Sequence, residues 1–204
     1  MLVRAEDLGV RLGGRVVFSG LEFAWEGPGT IAVTGANGSG KTTLLKVLAG
    51  LLAAGRGRVT WEDAGRALRP VDARARLGFV SSELGLYEDL SAHENLAFFA
   101  QARGQAWRRA DGEAWFERLG LGGRGDERVA GYSSGMKQRV KLAFALMAKP
   151  GLVLLDEPGS NLDESGRSLL AGLVAEAGAS ALVVVATNDP AEAAWATSRL
   201  ELPS

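Results

Sequence analysis

The stretch Gly35-Ala36-Asn37-Gly38-Ser39-Gly40-Lys41-Thr42-Thr43 constrains this chain more than any other feature, because it meets every position of the phosphate-binding loop pattern. Glycines let backbone N–H groups turn inward around β- and γ-phosphates, and a helix opening near Lys41 aims the positive end of its dipole at the same charge. Lys41 adds a mobile cation, and the Thr42 hydroxyl can ligate Mg²⁺. The expected ligand is a nucleoside triphosphate; the alternative is a glycine-rich turn that matches by chance.

Apolar runs end where phosphate chemistry needs polar groups. Ile31-Ala32-Val33-Thr34 leads into Gly35, residues 152–155 lead into Asp156-Glu157-Pro158, and residues 181–186 lead into Thr187-Asn188-Asp189. A fourth, weaker run, Leu77-Gly78-Phe79-Val80, ends in Ser81-Ser82. Near-continuous apolar character with β-branched residues predicts strands buried on both faces of a parallel sheet, whose ligands sit at the carboxyl ends of the strands. Those ends then converge on one nucleotide. Asp156 is placed to hold the Mg²⁺ shell through water and Glu157 to polarise the water that attacks the γ-phosphate. The alternative is an acidic pair in a strand-end turn stopped by Pro158.

With 204 residues and 47% hydrophobic composition, the chain can bury a substantial core as one domain with an inserted lobe. It carries no second phosphate loop and no repeat at a fixed period. A net charge of −1 argues against sequence-independent binding to nucleic acid, and Arg108-Arg109 and Arg74/Arg76 read as solvated helix faces. The absence of cysteine excludes disulfides and thiolate metal sites. No run reaches the roughly 18 apolar residues of a spanning helix, and residues 1–7 lack a signal-peptide core. The expectation is a soluble, cytoplasmic chain whose membrane role comes through a partner.

Short strands are expected at residues 16–18, 21–25 and 57–61, with a turn at Gly27-Pro28-Gly29, forming an antiparallel sheet beside the parallel one. Ser91-Ala92-His93-Glu94 is a capping box that opens a helix. Helical signals from Ser91 to about Leu119, bounded by Gly104, Gly112 and Gly120, predict a helical lobe over about residues 83–135. His93, the single histidine, reads as a solvated residue of the first helical turn, and Trp107 and Trp115 as lobe packing. Residues 140–147 read as core.

Tyr132-Ser133-Ser134-Gly135-Met136-Lys137-Gln138-Arg139 resembles the signature motif of ABC (ATP-binding cassette) ATPases, and Ser160-Asn161-Leu162-Asp163 resembles their D-loop. With the phosphate loop before them and Asp156-Glu157-Pro158 between, the resemblance covers nearly the whole chain. It implies an α/β fold over residues 1–204 as a single ABC ATPase domain: a P-loop NTPase (RecA-like) core sheet, an N-terminal antiparallel β-subdomain and the helical lobe. It implies ATP and Mg²⁺ as ligands, with nucleotide held by residues 35–43 and Ser82, metal by Thr42 and Asp156, and catalysis by Glu157 and Asn188. Ser133, Ser134 and Gly135, ahead of a helix expected near Lys137, would cover the γ-phosphate held by a second copy. The implied assembly is a homodimer with ATP at its seam, docked on transmembrane permease subunits at the cytoplasmic face of the membrane, with no nucleic-acid partner.

Val17-Phe18-Ser19-Gly20-Leu21-Glu22-Phe23 and the run Gly40-Lys41-Thr42-Thr43-Leu44-Leu45-Lys46-Val47-Leu48-Ala49-Gly50-Leu51 are similar to ATP-binding subunits of haem exporters in cytochrome c maturation. That similarity implies export. Three departures bear on turnover and adenine binding: Ser82 stands where the family has a glutamine, Asn188 where it has a histidine, and Phe18 substitutes for a missing adenine-stacking aromatic near Leu12. Losing a transition-state donor costs about 10²–10³ in rate, so slow hydrolysis is expected. The alternative reading is a non-transport ABC switch driven by ATP-dependent dimerisation, with little hydrolysis.

Overall fold

The computed structural model describes residues 1–203. The elements run β1 (Leu2–Leu12), β2 (Arg15–Glu26), β3 (Gly29–Thr34), α1 (Lys41–Leu48), β4 (Arg56–Asp63), β5 (Arg66–Leu68), α2 (Pro70–Ala75), β6 (Leu77–Val80), α3 (Ala92–Ala102), α4 (Arg109–Arg118), α5 (Ser134–Leu146), β7 (Leu152–Asp156), α6 (Glu164–Gly178), β8 (Leu182–Ala186), α7 (Pro190–Ala193) and β9 (Ser198–Glu201).

The predicted parallel sheet has the order β6-β7-β8-β3-β9, and an antiparallel sheet has the order β2-β1-β4-β5. Every residue of β7 and β8 is buried, as expected of strands covered on both faces. Because side chains alternate, Leu152, Leu154, Leu182 and Val184 face α1 and the antiparallel sheet, while Val153, Leu155, Val183 and Val185 join a second core with α5 and α6. That second core also takes in Leu96, Phe116 and Leu119 of the helical lobe. Register then fixes the site: Asp156 pairs with Ala186, and Ala186 with Val33, so the chain leaves β7, β8 and β3 at adjacent points.

Several expectations are corrected. β1 and β9 were not read as strands, and β2 is one continuous strand rather than two short ones. The lobe holds two helices, with Gly112 inside α4 instead of bounding it. The signature helix starts at Ser134, three residues before the expected Lys137, because Ser133 caps it by accepting a hydrogen bond from Met136 N at 3.2 Å. Arg108 and Arg109 are exposed as expected, and both are ion-paired.

His93 is also corrected. The capping box around it is formed, with Ser91 and Glu94 satisfying each other's backbone N–H groups. The imidazole, however, is buried rather than solvated. It meets Phe116 edge-on with ring centroids 4.7 Å apart, and Gly112 and Gly125 leave the room it fills, since a Cβ on either would come within 2.6 Å of the ring. Its Nδ1 is buried without a hydrogen-bond partner among the described residues.

Burial pushes the His93 pKa down and Arg109 adds to this, while Asp126 and Glu113 oppose it. The unfolded chain therefore binds the proton more readily, and protonation favours unfolding. Stability should be complete above the ordinary histidine pKa of about 6.5 and should fall as pH drops below it toward the depressed folded value. Urea midpoints between pH 7.5 and 5 check the loss. The single imidazole resonance set, which should stay neutral in the fold below pH 6.5, checks the cause.

Candidate nucleotide site

The phosphate loop connects β3 to α1. Gly35, Gly38 and Gly40 have φ of 146°, 85° and 98°, values that disfavour side chains. Space excludes side chains as well: a Cβ on Gly35 would lie 2.6 Å from Ser39 Oγ, and one on Gly40 2.5 Å from a Val17 methyl. Gly40 caps α1, whose first-turn N–H groups face the loop without intrahelical acceptors. No acidic side chain occupies that turn, so the positive helix end is left for a ligand.

Lys41 Nζ donates to Gly35 O at 2.8 Å and to Ala36 O at 3.2 Å, and stands 3.7 Å from Glu157 Oε1. Thr42 Oγ1 donates to Asp156 Oδ2 at 2.7 Å. Asp156 is buried, and its Oδ1 has no partner among the described residues. Burial raises its pKa, against the Thr42 hydrogen bond and the charge of Lys41. Burial likewise raises the Glu157 pKa, and Lys41 is the main influence holding it down. Glu157 sits at φ 45°, a left-handed conformation that is strained for a residue with a Cβ.

A cavity of about 350 Å³ is lined by Asn37, Gly38, residues 40–43, Val17, Asp156 and Glu157. Asn188 is exposed beyond β8, and its amide donates to Asn37 Oδ1 at 2.9 Å, which brings it to the loop. Ser82 is not brought in: it is exposed past β6 and absent from the cavity lining, while its neighbour Glu83 pairs with Lys46 at 2.6 Å. Phe18 is buried in the core and packs over Gly40, so it offers no free face for adenine. Val17, its neighbour in β2, lines the cavity instead.

Ser133, Ser134 and Gly135 line a different cavity of about 370 Å³ with Arg124, Arg139, Asn161 and Asp163. It shares no lining residue with the phosphate-loop cavity. The signature is nevertheless tied to the acidic turn after β7. Gln138 Nε2 donates to Pro158 O at 2.9 Å, and Gly135 lies so close to Asn161 that a Cβ would meet its carbonyl oxygen at 2.8 Å.

Residues 18–160 match the family described as "ABC transporter". The chain belongs to this family, as an ATP-binding subunit. It is 35% identical over 193 residues to the cytochrome c biogenesis ATP-binding export protein CcmA of Mesorhizobium japonicum, covering 93% of each protein. It is 29% identical over 191 residues to the linearmycin resistance ATP-binding protein LnrL of Bacillus subtilis, covering 92% of this chain and 61% of LnrL. The fold of this ABC subunit superimposes on a putative ABC transporter ATP-binding protein from Pyrococcus furiosus with a TM-score of 0.86 at 21% identity, over 99% of this chain and 98% of that one. The P-loop core sheet, antiparallel β-subdomain and helical insertion are thus those of an ABC ATPase.

Proposed function

We propose that this ABC subunit binds ATP in the Lys41–Glu157 cavity, hydrolyses it with Glu157, and through ATP-dependent pairing with a second copy drives a membrane transporter. The observation that carries the reading is the convergence of Lys41, Thr42, Asp156 and Glu157 at the carboxyl ends of the parallel strands. Residues 35–43 would cradle the phosphates, with Lys41 released from the Gly35 and Ala36 carbonyls to the β- and γ-phosphates.

The residues suit Mg²⁺. A hard cation that keeps most of its waters needs one or two protein oxygens and the substrate's phosphates, and Thr42 Oγ1 and the orphaned Asp156 Oδ1 supply such oxygens. Among the described residues no cluster of three or more acidic, histidine or cysteine ligands exists, which fits a cation shared with substrate. When bound, the ion would neutralise charge on the phosphates.

Glu157 accepts a proton as the water oxygen bonds to the γ-phosphorus and the bond to the β–γ bridging oxygen breaks, leaving ADP and phosphate. Its raised pKa favours proton uptake, and Lys41 opposes that rise. The signature cavity supports pairing because Ser133–Gly135 present N-cap groups away from their own chain's phosphate loop, ready for the γ-phosphate of a second copy.

Similarity to CcmA supports an export role of the haem-exporter type. No helix among the described residues is long and apolar enough to cross a membrane, so permease subunits would carry the path and hold this subunit at the cytoplasmic face. A groove of about 370 Å³ lined by Leu51, Phe79 and Phe144 together with charged Lys46, Arg74, Glu83 and Arg103 suits an amphipathic permease segment. A slow, switch-like role off the membrane is favoured by one observation: Ser82 stays out of the cavity and Asn188 brings only a neutral amide. Steady-state phosphate release, alone and with a co-purified membrane subunit, decides between them. Stimulation by the membrane subunit supports transport.

Asn188→His tests the second half of that observation. An amide donates a neutral hydrogen bond, whereas imidazolium donates a charge-assisted one to the developing phosphate charge. The difference of about 1.4 kcal/mol predicts roughly tenfold higher kcat with ATP affinity little changed. Phosphate-release kinetics against nucleotide titration check it, and an unchanged rate removes Asn188 from the catalytic position.

A further inference from the structure

Glu192, in α7, is buried with 4% of its surface exposed and touches no part of the phosphate loop's cavity. Its Oε1 accepts from Gly159 N at 2.9 Å, a buried contact so close that a Cβ on Gly159 would meet this oxygen at 2.1 Å. Its Oε2 is buried without a hydrogen-bond partner among the described residues. An uncompensated buried carboxyl is costly, so one contact to a loop N–H is a weak return in stability alone.

What Glu192 holds is the turn that carries Glu157. That turn is strained at Glu157, and it is fixed at three successive points: Glu157 N donates to Ala186 O at 2.8 Å, Pro158 O accepts from buried Gln138, and Gly159 N donates to Glu192. Thr187, just past β8, is fully buried on the other side of Glu157. Its hydroxyl accepts from Asp189 N at 3.0 Å and stands 3.5 Å from Glu157 Oε2. Burial raises the Glu192 pKa, against the Thr187 hydroxyl and the Gly159 N–H.

We propose that Glu192 is a positioning residue for hydrolysis: by holding Gly159 N–H, it keeps the strained 157–159 turn aimed so that the Glu157 carboxylate meets the attacking water. This rests on the reading of Glu157 as the proton acceptor. Binding of ATP uses the phosphate loop, Thr42 and Asp156, none of which touches Glu192, so affinity and rate should separate.

Glu192→Ala should lower kcat about 10- to 100-fold, the range a misplacement of about 1 Å produces, with the Kd for ATP changed less than about twofold. Glu192→Gln keeps an acceptor for Gly159 N–H and should recover most of the rate. Gly159→Ala, which displaces the carboxyl while leaving Glu192 in place, should reproduce the loss, and the Glu192→Ala/Gly159→Ala pair should be no worse than either alone. Hydrogen exchange at Gly159 N–H should quicken in the alanine variants and stay slow with glutamine.

A turn that opens in Glu192→Ala without loss of kcat overturns the proposal. So does a loss of rate and ATP affinity together, or a glutamine variant that fails to recover. If wild-type protein shows no phosphate release dependent on Glu157, the hydrolytic reading falls and the role of Glu192 falls with it. If that release is present and Glu192→Ala matches it, only the role of Glu192 falls.

Discussion

Lys41→Ala is expected to weaken ATP binding by roughly 30- to 4,000-fold, the equivalent of losing about 2–5 kcal/mol from a charged contact held in a largely desolvated site. The side chain is 7% exposed, and its ammonium is the cation closest to where the phosphates would lie, supported by Gly35 and Ala36 carbonyls that bring no countercharge. The loss should fall on binding rather than folding. Lys41 shares its surroundings with apolar α1 residues Leu44, Leu45 and Leu48, which the substitution leaves in place. Removing the cation also frees Glu157 from its main stabilising charge, so that carboxyl should titrate higher in the variant. Fluorescent-nucleotide titration with a parallel melting curve checks the first point: a folded variant that binds ATP as wild type does would rule out the phosphate-loop assignment.

Glu157→Gln is expected to cut phosphate release about 10²- to 10⁴-fold while leaving ATP bound, because glutamine cannot take the proton that the attacking water must lose. Thr42 and Asp156 do not depend on the Glu157 charge, and the amide fills nearly the same volume at φ 45°. With ATP and Mg²⁺ present, the variant should accumulate as a dimer, since the bound triphosphate persists where wild type would convert it to ADP and separate. Ser133→Arg in the same chain should abolish that dimer. It removes the cap of α5 and places a long side chain in the cavity that would receive the second copy's phosphate. Sedimentation with and without nucleotide distinguishes the outcomes; a protein that stays monomeric at saturating ATP, alone and with its membrane partner, contradicts the pairing.

The parts of the fold legible in the sequence were those whose chemistry requires particular residues at short, fixed offsets. Gly35, Gly38, Gly40 and Lys41 are such a set, and the buried strands β3, β7 and β8 announced themselves by unbroken apolar runs leading to polar ends. β1 hid because its pairing slips at Ala5, Leu8 and Val10, with Asp7 at φ 45°, so the alternation that marks a strand is repeatedly reset. Parts of the site made by distant residues were not legible. His93 reads as a first-turn residue from its neighbours, yet its burial depends on Gly112 and Gly125. Asn188 was expected at the γ-phosphate, and its partner Asn37 lies 151 positions away. Glu192 carried no local signal, because the N–H it holds belongs to a turn 33 positions earlier. Ser82 was placed by alignment with the family's glutamine, but it is exposed outside the cavity lining, while its neighbour Glu83 is drawn to Lys46.

The claim that two copies share each ATP is tested most directly by mixing Lys41→Ala protein with Ser133→Arg protein, each inactive alone, and measuring phosphate release. In a head-to-tail pair, a mixed dimer carries both lesions in one site and leaves the other intact, with Lys41 from one copy facing Ser133 from the other. With the sites acting independently, an equal mixture should recover about a quarter of wild-type activity if pairing is random and about half if only mixed pairs form, as the loss of both homodimers predicts. Release no greater than the sum of the two separate proteins would contradict the account.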